Sequence, residues 1–298
     1  MVGWFVGQWR GEIRTWRRST AVDARLFQIG FQAALLTLGV LLRDFSLLPL
    51  QMALALASAV VTQAFWLRVF RLQGVGFLSP LITGFGLSLL LRADSFWLHP
   101  LVACLAISGK FLIRIRGKHV FNPAAFGVGL ALLGLPGAWI SPGQWGSDLG
   151  LAVWLIGLGA LVAQRARRDD AAFLFLGTFL GLTAARLFYL GHTLGRGWEI
   201  WCHQALNGAL LLFAFFMISD PMTLPDRPLA RRLHVVVVAA AAFSWQFLYY
   251  RPNGALWALL CLSPLVPLWD WIWPGKPYNW HGNRSLQNNV AAQGKIPG

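Results

Sequence analysis

Residues 165–190 carry the reading that decides the fold: Arg165-Ala166-Arg167-Arg168-Asp169-Asp170, then AAFLFLGTFLGLTAARLFYL over 171–190. Those twenty residues hold a single charge, Arg186, near their end. A helix that crosses the hydrocarbon core needs about 20 mostly apolar residues. The stretch therefore predicts a transmembrane helix with a cluster of cations at its start. Nine further apolar segments follow, at 26–42, 46–67, 77–91, 96–113, 122–135, 149–164, 202–218, 233–250 and 254–273. Segments 77–91 and 122–135 are short and contain Gly, so they are expected to be broken or partly re-entrant.

Twenty of the 25 Lys and Arg residues fall in alternate gaps between these segments. They include Arg25 and the arm before it, Arg68 and Arg71, the Lys110–Lys118 loop, Arg165–Arg168, Arg227–Arg232 and the tail from Lys276 onward. Only Arg43, Arg92, Arg186, Arg196 and Arg251 fall on the other side. Cytoplasmic loops carry the excess of Lys and Arg, which predicts that both termini are cytoplasmic.

Composition agrees. The chain is 57% hydrophobic and 12% charged, with mean hydropathy +0.57, against about 25% charged in a soluble domain. The expected organisation is a basic cytoplasmic N-terminal arm over 1–25, one membrane domain over 26–275 and a cytoplasmic tail over 276–298. A net charge of +14 invites nucleic acid as a partner. However, the cations cluster in the loops that meet anionic headgroups, so the expected partner is the lipid bilayer and no nucleic acid. Segment 26–42 resembles a signal-peptide core but runs into Arg43-Asp44 with no small-residue cleavage site, so it reads as a retained helix. Cys104, Cys202 and Cys261 are isolated, with neither metal-ligand spacing nor a disulfide pattern, so no metal site is expected. Trp4, Trp9, Trp16, Trp271, Trp273 and Trp280 at one face, and Trp97, Trp139, Trp145, Trp198 and Trp201 at the other, read as interfacial anchors.

Ten spans divide into five and five, and an odd number per half requires any repeat to be inverted across the membrane. Thr83-Gly84 in segment 3 and Asn207-Gly208 in segment 8 occupy matching positions; Asn122-Pro123 opens segment 5, and Pro264 and Pro267 interrupt segment 10. The expected fold is thus all-α, a polytopic membrane protein of about ten helices in two inverted five-helix repeats.

Three stretches depart from the apolar background. Ser79-Pro80-Leu81-Ile82-Thr83-Gly84-Phe85-Gly86 is small and polar, allowing close approach of a backbone or ligand. The run from Lys110 through Arg114 and Lys118 to Phe121-Asn122-Pro123-Ala124 puts cations at four-residue spacing before a capped helix start. Lys110 lies deepest in its apolar segment, and such cations are functional candidates. The third stretch runs from His203 and Asn207, on one helix face, to Ser219-Asp220-Pro221-Met222-Thr223. Phosphate loops, hydrolase motifs and paired carboxylates within a span are missing, so no catalytic residue is assigned.

These runs, with Phe215-Phe216-Met217-Ile218 before Ser219, occur in this order in one family. The chain resembles RnfD of the Rnf electron-transport complexes and NqrB of the sodium-pumping NADH:quinone reductase, including stand-alone relatives of RnfD, over residues 26–275. The resemblance implies the inverted-repeat scaffold, an electron-transport role in a bacterial cytoplasmic (inner) membrane, and partner subunits in the membrane or in solution. It also implies flavin: one FMN bound covalently to a Thr and a second, riboflavin-type site. By residue, it points to Thr83, Gly84, Lys118, Asn122, Pro123, Asp220, Pro221 and Thr223, near the flavin or at the helix breaks that shape its pocket; Lys110, His203 and Asn207 join them as polar groups within apolar segments. The family's Ser-Gly-Ala-Thr attachment run is missing from 136–200, where Ser141–Asp148 is the only polar stretch of note. Covalent FMN is therefore expected to be absent and a non-covalent flavin, riboflavin or FMN, to remain. The alternative is a small-solute channel or transporter on the same scaffold, with His203 and Asn207 lining its path.

Overall fold

The computed structural model describes residues 23–42, 48–72 and 75–278. The arm before Asp23, Arg43-Asp44, and the tail beyond Tyr278 with Trp280, Arg284 and Lys295 lie outside the described residues. Helix dominates. α1 (Ala24–Leu42) and α2 (Pro49–Val69) are followed by α3 (Leu78–Leu90), α4 (Leu98–Leu112) and α5 (Pro123–Gly134). The second half has α6 (Leu149–Arg165), α7 (Asp169–Tyr189), α8 (Leu194–Ala205), α9 (Gly208–Leu212), α10 (Pro228–Phe247), α11 (Gly254–Leu262) and α12 (Val266–Ile272).

Local chemistry sets the helix starts. The side chains of Asn122, Asp148 and Asn207 accept hydrogen bonds from the backbone N–H groups of Ala125, Leu151 and Leu210 at 3.1, 2.9 and 3.1 Å. Each satisfies a donor that the first turn leaves without a partner. Pro49, Pro123 and Pro228 occupy first helical positions, where a missing N–H costs nothing. Asp169 and Asp170 open α7 and Arg186 closes it, complementing the helix dipole.

Among the described residues, four stretches are long and apolar enough to cross a membrane: Ala24–Leu41, α2, α7, and Gly254–Ile272, which joins α11 to α12. A fifth is the pair Leu194–Ala205 and Gly208–Met217, bent by 46°. α3, α4, α5 and α6 are shorter apolar helices. At 1.5 Å per residue, α3 and α5 reach only about 20 Å, short of a hydrocarbon core of about 30 Å. Backbone beyond their ends needs partners supplied by the protein. β1 (Leu91–Ala93), directly after α3, pairs antiparallel with β4 (Ala138–Ile140), just after α5. A second ribbon joins β2 (Arg114–Ile115) to β3 (Lys118–His119). Its turn residues, Arg116 and Gly117, both have positive φ, at 53° and 85°, the arrangement of a tight two-residue hairpin. The all-α expectation missed both ribbons, because two- and three-residue strands leave no periodicity to read.

Packing follows one scheme in each half. In the first, α1 packs on α3, α2 on α4 and α4 on α5; in the second, α6 packs on α9, α7 on α10 and α10 on α11. Across the seam, α1 meets α6 and α5 meets α11. After α9, Phe213–Met217 forms a π turn, with the Ile218 N–H bonded to the Phe213 carbonyl. Trp145 departs from the anchoring expectation: it is 3% exposed, with Gly208 packed against it. Trp97, Trp139, Trp198 and Trp271 are exposed.

Close helix contacts depend on particular glycines. A Cβ on Gly127 of α5 would sit 2.8 Å from the Ala106 Cβ and 3.1 Å from Val102 of α4. Gly181 of α7 has nothing among the described residues within 4 Å of that position. Overpacking costs about 1–3 kcal/mol. Gly127→Leu should therefore lower Tm in detergent by roughly 3–10 °C, while Gly181→Leu should leave it nearly unchanged, as read by thermal unfolding of the two purified variants.

Candidate functional site

The three polar stretches meet at one cavity. It holds about 1200 Å³ of empty space, part of it open to the outside. α1 supplies Gln28 and Gln32, α3 supplies Ser79 and Thr83, and α4 supplies Lys110. The hairpin contributes His119, the start of α5 contributes Asn122 and Pro123, and the π turn with its following loop contributes Phe215, Phe216 and Asp220. Both halves of the chain thus form the wall.

Lys110 is 5% exposed. Its ammonium donates to Gln63 Oε1 at 3.2 Å and Ser79 Oγ at 2.9 Å, contacts that fix its position at the cavity wall. Thr83 Oγ1 donates to the Ser79 carbonyl at 3.2 Å. Gln32, 3% exposed, has an amide oxygen with no hydrogen-bond partner among the described residues. Asn122 is largely committed: its oxygen caps α5 and its nitrogen donates to Asp220 Oδ2 at 3.1 Å.

Strand alternation separates neighbours in the hairpin. His119 turns inward, with Nε2 3.7 Å from Asp220 Oδ2, and both its ring nitrogens lack hydrogen-bond partners among the described residues. Burial pushes its pKa below the ordinary histidine value, against the opposing pull of Asp220. Burial would raise the Asp220 carboxyl, but the facing imidazole, the Met222 N–H at 3.0 Å and the Asn122 amide hold it below the ordinary carboxylate value.

Lys118 turns the other way. Its ammonium sits 2.7 Å from Asp226 Oδ1 and 2.9 Å from Asp270 Oδ2, and donates to the Leu224 carbonyl at 3.1 Å. The Asp226 N–H donates to Asp270 Oδ1 at 2.7 Å. Burial raises the Asp226 pKa, an effect that Lys118 opposes. This node ties the first-half hairpin to the second-half loop and to α12, outside the cavity.

Of the residues singled out from sequence, Thr83, Lys110, Asn122, Pro123 and Asp220 line the cavity together. Gly84 does not; it presses on α2, where a Cβ would meet Leu56 at 2.8 Å. Thr223 is buried behind the wall, its hydroxyl donating to the Asp220 carbonyl at 3.3 Å. His203 is exposed on α8, and the Asn207 side chain caps α9. The Ser141–Asp148 stretch is a turn: Gln144 accepts from Arg92 Nε at 2.8 Å, and the Gly146 carbonyl accepts from Gly208 N–H. Gln28, Gln32 and His119 were not singled out. The glutamines break the apolar run of segment 1, a usable signal, whereas the inward turn of His119 depends on the hairpin.

No curated protein matches this chain. Residues 131–279, half of the chain, match the model of the NQR2, RnfD, RnfE family. The matched half contains the π turn, the Ser219–Thr223 loop, and both carboxylates that hold Lys118. The second-half wall of the cavity is therefore built from family sequence, and the chain belongs to the NQR2, RnfD, RnfE family of membrane proteins.

Proposed function

We propose that this chain is an electron-transport subunit of the cytoplasmic membrane that binds a flavin non-covalently in the cavity between its halves. The observation that carries the reading is the convergence on one cavity of residues from all three polar stretches, Ser79 and Thr83, Lys110 and Asn122, and Ser219 and Asp220. The lining fits the group. Lys110 offers a fixed positive charge, the Gln32 oxygen offers a buried acceptor for an imide N–H, and Phe215 and Phe216 offer apolar surface for a fused ring. When bound, a flavin supplies electron transfer in single or paired steps. Lys110 holds negative charge against the ring, Thr83 and Asn122 present polar contacts at the wall, and the surrounding apolar side chains exclude water. Lys118 takes no part at the ring, because Asp226 and Asp270 hold it behind the wall.

The organisation expected from sequence completes the proposal: ten crossings in two inverted repeats, both termini cytoplasmic, and partner subunits for donor and acceptor. The repeated packing pairs, and the seam contacts of α1 with α6 and α5 with α11, support the repeat. A solute path along His203 and Asn207 draws no such support, since neither side chain faces the cavity.

Purified protein should show the visible absorption of flavin, and acid precipitation should release all of it to the supernatant. Lys110→Gln should weaken binding by roughly 10–100-fold, the loss of one charged hydrogen-bonding group, as read by quenching of flavin fluorescence on titration. A colourless protein that binds no added flavin refutes the proposal, and colour remaining in the acid pellet refutes its non-covalent part.

The node behind the wall gives a second expectation. Removing one partner of a buried ion pair costs about 3–5 kcal/mol. Lys118→Met should lower the free energy of unfolding by that order and loosen flavin, while adding Asp226→Asn should recover part of the loss by removing one of two facing carboxylates. Thermal unfolding of both variants checks it.

A further inference from the structure

α1 has two working faces. Arg25, Gln28 and Gln32 line the polar cavity, whereas Leu26, Phe27, Gly30, Phe31 and Ala34 face a second, apolar space shared with Leu158, Leu161 and Val162 of α6. The second space is a groove of about 770 Å³ at the seam between the halves, and Val162 lines it and the cavity alike. Leu26 and Leu161 on its rim are exposed. Among the described residues, a Cβ on Gly30 would meet nothing within 4 Å, so no described side chain closes the groove floor. At one end, the Arg165 guanidinium lies over the Phe27 ring, 4.7 Å from its centre. Arg165 is exposed, as is Arg167 in the turn that follows.

We infer that this groove binds an anionic phospholipid, with an acyl chain along Leu26–Ala34 and Leu158–Val162 and its phosphate on Arg165. The chemistry of the two ends selects this occupant. An apolar trough on a membrane-crossing helix faces hydrocarbon, and the cation ending it belongs to the basic loops that meet negative headgroups. The ring beneath Arg165 holds the guanidinium by a cation–π contact and leaves its N–H groups for phosphate oxygens. A second copy of the chain would need an apolar ridge ending in an acid. The lipid fills the α1–α6 seam and so steadies the helix that forms one wall of the cavity; the inference does not depend on what the cavity holds.

Binding to the folded state raises Tm with ligand concentration. In delipidated, detergent-solubilised protein, phosphatidylglycerol should raise Tm by several degrees more than phosphatidylcholine. Arg165→Gln should reduce that advantage to the phosphatidylcholine level. Gly30→Leu, which fills the trough, should fold normally and lose the response to both lipids, while Gly181→Leu on α7 keeps the wild-type response. Equal responses of the wild type to the two lipids overturn the inference, as does a full phosphatidylglycerol response in Gly30→Leu. A concentration-dependent dimer that Gly30→Leu abolishes would give the groove to a second copy and overturn it too.

Discussion

Charge must be paired where water is scarce, and the architecture at this end of the bundle depends on one such pairing. Lys118 is 14% exposed and Asp226 and Asp270 are 9% and 12% exposed, so neither sign can rely on solvent. Each needs the other, and they come from a hairpin, a loop and a terminal helix far apart in sequence. A buried ion pair adds little stability over apolar residues of equal size, but it penalises any arrangement that separates its partners. Its contribution is positional. By fixing the hairpin against the 219–226 loop, it sets His119 opposite Asp220 and brings the Asn122 amide within 3.1 Å of the same carboxylate.

The cavity follows from the same scarcity. Short helices expose backbone at membrane depth, and protein must cover it. The β1–β4 ribbon does so after α3 and α5, and the π turn does so between α9 and the Ser219–Thr223 loop. π turns widen a helix locally and occur often at functional sites. Here the turn puts Phe215 and Phe216 on the wall with Asp220 just beyond. Polar groups in the wall are mostly tied to each other, Lys110 to Gln63 and Ser79 and Asn122 to Asp220. The site is pre-organised, with Gln32 and His119 retaining unmet hydrogen-bonding capacity among the described residues.

Much of this was legible in the chain. Among the described residues helix covers most of each apolar segment, although 202–218 breaks near Leu206 and 254–273 is split between α11 and α12, and the caps at Asn122 and Asn207 could be read from residue type and position. Lys110 stood out because a cation deep in an apolar run is expensive to hold there and is rare without a role. What stayed hidden depends on contacts remote in sequence. Lys118 was expected near the flavin from the resemblance, but strand alternation turns it toward Asp226 and Asp270. His203 and Asn207 share a helical face only if one helix continues through them, and the chain breaks at Leu206. The α1 glutamines were visible, yet nothing nearby in sequence shows that they face Ser79 and Asp220 across a cavity.

The central claim, that both halves of the chain hold one flavin, is tested most directly by photolabelling with an azido-flavin and mapping the modified peptides. The account predicts label in 79–86 or 110–123 from the first half together with 215–222 from the second, suppressed by excess riboflavin. Label confined to 194–207, or spread along the lipid-facing helices and unaffected by riboflavin, would contradict it.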